Sequence, residues 1–163
     1  DSSQDQKASD IINYLPTMEL ADVIYEFGEE RRSRVIARNI EKMRPLKSVS
    51  DLIEAIRRST PPNHRDRSLA RVFQAIRIKV NGELDKLESF LSSFVERLSI
   101  GGRITIISFH SLEDRMVKHS FKRLAKDGFL SILTKKPLIA TAEEMANNRR
   151  SKSAKLRAAE RIA

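Results

Sequence analysis

The sequence predicts an α/β protein in which an all-helical module precedes a half built from helix, strand and helix. Three observations predict it. Apolar residues recur at three- and four-residue spacing from Leu20 to Val80, punctuated by Pro and Gly. A short β-branched run, Ile104, Ile106 and Ile107, follows Gly101-Gly102. That run stops at Ser108-Phe109-His110 and gives way to a second helical pattern, so the unit reads strand, tight turn, helix. In an open α/β sheet such a turn lies just past the carboxyl end of the strand, where ligands bind.

Residues 1–10 are polar and read as an extended lead-in. Ile11, Ile12 and Leu15 predict a short helix that ends before Pro16, because the residue preceding proline disfavours the helical region. Thr17 can cap the next helix, which has Leu20, Val23, Ile24 and Phe27 on its inner face and Gly28 as its stop. A third helix is expected from Glu29, with Val35, Ile36, Ile40 and Met43 inward. Its Arg31, Arg32, Arg34 and Arg38 either form a basic flank that meets phosphate or are ordinary surface charge offset by Glu29, Glu30 and Glu41. Pro45 ends it. Ser48 or Ser50 opens a fourth helix that buries Val49, Leu52, Ile53 and Ile56.

Ser59 to Arg67 holds a double proline among polar residues and reads as a loop. Its His64, Arg65 and Arg67 are candidates for phosphate or base contact, since exposed connections carry binding groups without disturbing a core. From Ser68 a helix places Val72, Phe73, Ile76 and Val80 on one side, with Gln74 and Asn81 as amides satisfied near the core. Gly82 breaks it. Leu84, Leu87, Leu91, Phe94, Val95 and Leu98 make the strongest amphipathic pattern in the chain and lead into the strand, read as buried.

In the helix after the strand, Ser111 is expected as N-cap, with Glu113 and Asp114 in the favourable first turn. Phe129–Thr134 predicts a second strand and Thr141 a short capped helix. Leu156–Ile162 reads as a closing edge strand or, on its Ala, Glu and Arg content, as helix.

Of the 163 residues, 40% are hydrophobic and 33% charged, an ordinary balance for a globular chain. No apolar run approaches the ~20 residues of a membrane span, no signal peptide opens the sequence, and a cytoplasmic protein is expected. The first residue is Asp, which reads as a processed form or a piece of something longer. With no cysteine there is no disulfide, thiol nucleophile or cysteine zinc site, and no metal is expected.

The net charge of +9 is uneven. Residues 103–163 carry 14 Lys and Arg against 6 Asp and Glu, whereas residues 1–102 carry 17 against 16. Such a concentrated field attracts polyanions, RNA or DNA above all. Arg149, Arg150, Lys152, Lys155 and Arg157 lie among small polar residues, a mixture of guanidinium forks, point charges and neutral donors that suits phosphate. The phosphate-loop, HExxH, GxSxG and GxGxxG signatures are missing. Ser108 and Ser111 adjoin His110 with no nucleophile elbow around them, which argues against a hydrolytic triad. Capping does not require Phe109 or His110, so these two, with Ser108, are candidates to line a site.

Four blocks, Phe27-Gly-Glu-Glu-Arg31, Phe73-Gln-Ala-Ile-Arg-Ile-x-Val-Asn-x-Glu-Leu84, Gly101-Gly-Arg-x-x-x-Ile-Ser-Phe-His-Ser-Leu-Glu-Asp-Arg-x-Val-Lys118 and Asn148-x-Arg-Ser-Lys-Ser-Ala-Lys-Leu-Arg157, together resemble the RsmH (MraW) family. These are bacterial and organellar S-adenosylmethionine-dependent methyltransferases acting on the N4 of a cytosine in 16S rRNA. The resemblance implies a Rossmann-like methyltransferase domain interrupted by a helical substrate-recognition domain. Residues 1–81 would be that insert and residues 82–163 the carboxyl-terminal part of the catalytic domain. It also implies S-adenosylmethionine as cofactor and the 16S rRNA of the small ribosomal subunit as partner. Methyl transfer to the exocyclic amine would be direct, on a base taken out of its stack.

The family's cofactor residues lie chiefly in the preceding half: a glycine-rich loop after the first strand, an acidic residue for the ribose, and an aromatic and an Asp beside the adenine. They have no counterpart here, so no cofactor-binding residue is assigned and the isolated chain is expected to be inactive. Ser108, Phe109 and His110 would line the acceptor pocket. Arg149, Arg150, Lys152, Lys155 and Arg157, with Arg65 and Arg67, would hold the rRNA. The chain departs from the family pattern at Ser68-Leu69 and Arg149, where Pro is usual, and in a short Phe129–Pro137 loop, which affects local turns. A half sheet would leave an open edge and an apolar face, favouring dimerisation or pairing with the missing amino-terminal half. The alternative is a non-catalytic, basic RNA-binding fragment or remnant.

Overall fold

The computed structural model describes residues 7–163, which form two compact units, one ending at Glu83 and the other running Leu84–Ala163. The lead-in expected at the start lies outside the described residues as far as residue 6. Ala8–Asp10 already belong to a helix.

The first unit is helical: α1 (Ala8–Tyr14), α2 (Thr17–Gly28), α3 (Ser33–Met43), α4 (Val49–Ser59), a 3₁₀ turn (Pro62–His64) and α5 (Arg65–Asn81). Ile11, Leu20, Ile24, Ile36, Ile40, Ile56 and Val72 are fully buried at its centre, as the helical spacing predicts. Val35, Val49 and Phe73, expected inside, are exposed, and Ala37 and Ala75 are buried instead. Small side chains at those positions let the helices approach closely. Arg44 reaches back to the end of α1, donating from Nε to the Ile12 carbonyl and from Nη2 to the Leu15 carbonyl, both at 2.7 Å. It satisfies carbonyls that the helix terminus leaves without partners. Ser48 caps α4: its hydroxyl accepts from the Asp51 N–H at 3.2 Å, and Asp51 accepts from the Ser48 and Lys47 amides at 2.9 Å. Those amide bonds hold the Asp51 carboxyl below its ordinary range.

Three expectations for this unit are corrected. Pro16, not Thr17, occupies the N-cap of α2. The stretch Ser59–Arg67 is only partly loop, since α4 runs through Ser59 and α5 starts at Arg65. Residues 29–32 are a turn rather than the start of α3. Glu29 takes the left-handed conformation (φ 51°) and Gly28 stays helical. The glycine answers a packing need, because a Cβ at position 28 would stand 2.6 Å from the Arg71 carbonyl oxygen on α5. The amides behave as expected, with Gln74 Nε2 donating to the Phe27 carbonyl at 2.9 Å and Asn81 Nδ2 to Glu83 at 2.8 Å.

The second unit contains α6 (Glu83–Arg97, all but its first residue), β1 (Arg103–Ser108), α7 (Ser111–Lys126), β2 (Leu130–Ile132), β3 (Leu138–Ile139), α8 (Ala142–Asn147), a 3₁₀ turn (Arg149–Ser153) and β4 (Lys155–Arg161). Its sheet is antiparallel throughout. β4 lies in the middle, with β1 along one side and β2 and β3 along the other. The closing segment is therefore a strand but not an edge. Its register places Ile104 opposite Ala159 and Ile106 opposite Arg157. Ile104, Ile106 and Ala159 pack with Leu91, Phe94, Val117 and Phe121 of α6 and α7. The other face carries Thr105 and Ile107, so β1 is covered on one face only, and the expectation of a buried strand is corrected accordingly. Arg161 Nη1 fastens β4 to the end of α6, donating to the carbonyls of Val95 at 2.9 Å and Leu98 at 2.6 Å. Among the described residues, no helix is long and apolar enough to cross a membrane.

Candidate functional site

The turn from β1 to α7 separates three adjacent side chains into three roles. Ser108, the last strand residue, is 1% exposed, and its hydroxyl has no hydrogen-bond partner among the described residues. Phe109 stands out, 52% exposed. His110 turns back as the N-cap of α7, its Nδ1 accepting from the Glu113 N–H at 3.3 Å. The expected cap, Ser111, is instead the first helical residue. Imidazole nitrogen replaces the usual hydroxyl, and since Nδ1 accepts, the proton of the neutral ring lies on Nε2.

Glu113 completes the box. Its Oε2 accepts from the Phe109 amide at 2.8 Å and from the His110 amide at 3.3 Å. Three backbone amides are thereby satisfied locally, which fixes the direction of the Phe109 backbone. The half-exposed Phe109 at the strand terminus offers an aromatic face to a planar group, while the Ser108 hydroxyl is buried behind it. It offers no activated nucleophile.

One turn further along, Asp114 is 8% exposed and accepts from Arg157 Nε at 2.7 Å and Nη2 at 3.2 Å, with Lys155 Nζ 3.6 Å away. Burial pushes this carboxyl up, but the bonds and charges of Arg157 and then Lys155 outweigh it and hold the group below its ordinary value. The pair ties α7 to the middle strand beneath the site. Arg157, 7% exposed, is therefore engaged inside the protein and does not belong with the exposed cations named from the sequence. Its place on the helix-covered face of β4 could not be foreseen without the register. Asp114, read only as a first-turn carboxylate, was missed for the same reason.

The remaining basic candidates fall into two groups. Arg149, Arg150 and Lys152 are exposed on the 3₁₀ turn before β4. Asn148 organises that turn, its Oδ1 accepting from the Arg150 N–H at 3.2 Å, while the Ser151 hydroxyl donates to the Asn148 carbonyl at 2.8 Å. Lys155 is half-buried. In the helical unit Arg65 is half-buried, its Nε 3.4 Å from the Thr60 carbonyl, whereas Arg67 is exposed at the rim of a polar cleft with His64.

Gly101, in the left-handed region (φ 79°), has open space around it, whereas Gly102 packs against its own chain. A Cβ at Gly102 would meet the Ser99 carbonyl oxygen at 2.7 Å, so these glycines serve the tight turn from α6 into β1.

A model of the MraW methylase family matches residues 1–162. Curated proteins similar to this chain share the name ribosomal RNA small subunit methyltransferase H. That of Nostoc sp. is 51% identical over 166 residues, covering 100% of this chain and 54% of the relative. That of Kosmotoga olearia is 52% identical over 161 residues, covering 95% and 53%. That of Thermosipho africanus is 50% identical over 163 residues, covering 98% and 55%. The chain thus spans about half the length of the curated relatives it matches.

Proposed function

The chain belongs to the MraW methylase family, and from that premise we propose that it is the acceptor-binding, carboxyl-terminal part of an S-adenosylmethionine-dependent methyltransferase acting on the N4 of a cytosine in 16S rRNA. The helices up to residue 81 serve as the substrate-recognition insert, and residues 82–163 contribute the second half of a Rossmann-like domain. The observation that carries this reading is the β1–α7 turn, where Phe109 projects from a backbone locked by Glu113 and the buried Ser108 hydroxyl before it has no partner among the described residues.

A cytosine removed from its stack needs an aromatic surface to replace the lost stacking, and Phe109 offers one. Its exocyclic amine must be held in one orientation for in-line attack, and the His110–Glu113 cap next to Ser108 fixes the backbone that presents Phe109. Arg149, Arg150 and Lys152 neutralise neighbouring phosphates. S-adenosylmethionine supplies the methyl group when bound to the complete enzyme. The glycine-rich loop and acidic residue its site needs have no counterpart in this sequence, and Gly102 lies close against the Ser99 carbonyl. On this reading the chain alone binds acceptor RNA without transferring a methyl group.

Two measurements test it. Phe109→Ala should weaken binding of a short cytidine-containing single-stranded RNA by about tenfold or more, the scale of one base–aromatic stack, without altering the salt dependence. An unchanged affinity removes Phe109 from the pocket. In calorimetry, S-adenosylmethionine should give no saturable heat with this chain. Micromolar binding would show that the donor site is here after all.

A further inference from the structure

The polar cleft of the helical unit joins the 29–32 turn to the first turns of α5, segments that are 38 residues apart at the Glu30–Ser68 contact. Its base is Glu30, 3% exposed. One carboxylate oxygen accepts from the Arg32 N–H at 2.9 Å, the other from the Ser68 hydroxyl at 2.8 Å, and Arg71 Nη1 lies 3.7 Å away. Arg31, Arg32, His64, Arg67 and Arg71 line the cleft around this carboxylate, in a volume of about 440 Å³.

The charges do not balance. A buried carboxylate needs one cation, and Arg71 answers it. Among the described residues lining the cleft Glu30 is the only acidic one, so the guanidiniums of Arg31, Arg32 and Arg67 remain as a concentrated positive surplus at the rim. His64 and Arg67 also stand at the amino end of the α5 dipole, which adds to the positive potential. The lining has no aromatic ring to stack a base and no apolar anchor for a protein segment. Planar guanidinium forks around an open, polar cleft match a tetrahedral phosphate.

We infer that this cleft binds a phosphodiester of the RNA backbone. Arg31 and Arg67 grip the phosphate, Arg71 supports it from behind, and Glu30 is a positioning residue that holds the 29–32 turn through the Arg32 amide. The inference rests on the rRNA reading above and deepens it: the helical unit holds the strand by its backbone, independently of sequence, while the β1–α7 turn takes the base.

The test is fluorescence anisotropy of the whole chain with a short single-stranded RNA across a salt series. The double variant Arg31→Gln, Arg67→Gln should lose on the order of tenfold in affinity at low salt and flatten the salt slope by about 0.7 per phosphate contact removed, equally for RNAs of different sequence. Glu30→Gln keeps an acceptor for the Arg32 amide and removes the opposing charge, so it should bind RNA as tightly or more tightly. Unchanged affinity and slope in the arginine pair overturns the proposal, as does lost binding in Glu30→Gln with an intact circular dichroism spectrum. If Arg149→Gln, Arg150→Gln weakens binding while the cleft pair does not, the cleft is wrong and the rRNA reading stands. If the wild-type chain binds no RNA, both fall. Poly-glutamate binding that the cleft pair abolishes while RNA binding persists would assign the cleft to an acidic protein segment instead.

Discussion

In the helical unit Ile11, Leu20, Ile24, Ile36, Ile40 and Ile56 expose no surface, whereas in the sheet-bearing unit Ile107 keeps 53% of its surface open and Leu138 and Ile139 keep 60% and 71%. Amphipathic helices can close their apolar stripes on one another. A small sheet with helices against one face cannot do so for the other, and β1 pairs only with β4 among the described residues. Such a face and edge need a cover, a requirement the proposed half-domain would meet from the rest of the enzyme. Among the described residues each unit also buries one carboxylate, to different effect. Glu30 shapes a cleft that faces solvent, while Asp114 fastens a helix to a strand.

The largest expected effect tests the second of these. Arg157→Met strands the Asp114 carboxylate and should cost about 3–5 kcal/mol in urea unfolding, and adding Asp114→Asn should recover most of the loss. A cost under about 1 kcal/mol would mean that Asp114 is effectively solvated and that the two carboxylates are not comparable. Gly28→Ala probes the helical unit. It drives a methyl group against the α5 backbone and should cost about 1–3 kcal/mol. No loss would show that the helices can slide apart freely.

Acid probes the Asp114 tie more gently, alongside Asp51 of the helical unit, whose carboxyl is also held low. The Asp114 carboxyl titrates below its unfolded value of about 3.9, so its contribution is complete above that pH and fades as pH falls through the lower folded value. Unfolding midpoints should therefore decline below about pH 4, and less so for Asp114→Asn relative to its own neutral-pH stability. Equal slopes would point to other carboxylates. The smallest effect is at the open face: Ile107→Ala should change stability by no more than about 0.5 kcal/mol. A larger loss would mean that this face is already covered in solution.

Much of the fold is legible in the sequence, because helix-period patterns and proline breaks act locally. Pro16, Ser48 and the Gly101-Gly102 turn each mark a boundary by chemistry within a few residues. Glu30 is not legible, because acidic residues opening a helix and a buried carboxylate joined to Ser68 look the same until α5 is in place. Nor is the central position of β4. An arginine in the middle of a strand argues for an exposed edge unless its partner, Asp114, is known to lie above it. In the candidate site, Ser108, Phe109 and His110 stand out at the end of a strand, but the sequence points to Ser111 as the cap, and His110 takes that role instead. Their separate roles depend on Glu113 reaching back to two amides.

Gly28 carries a further consequence. Where two main chains touch, the distance between them is fixed by atoms that cannot rotate away, so the walls bearing Arg31 and Arg67 are set apart by a ruler made of backbone. A ligand entering that gap finds a span that is already decided. It surrenders its own freedom while the protein gives up little, and fit is judged by reach before charge.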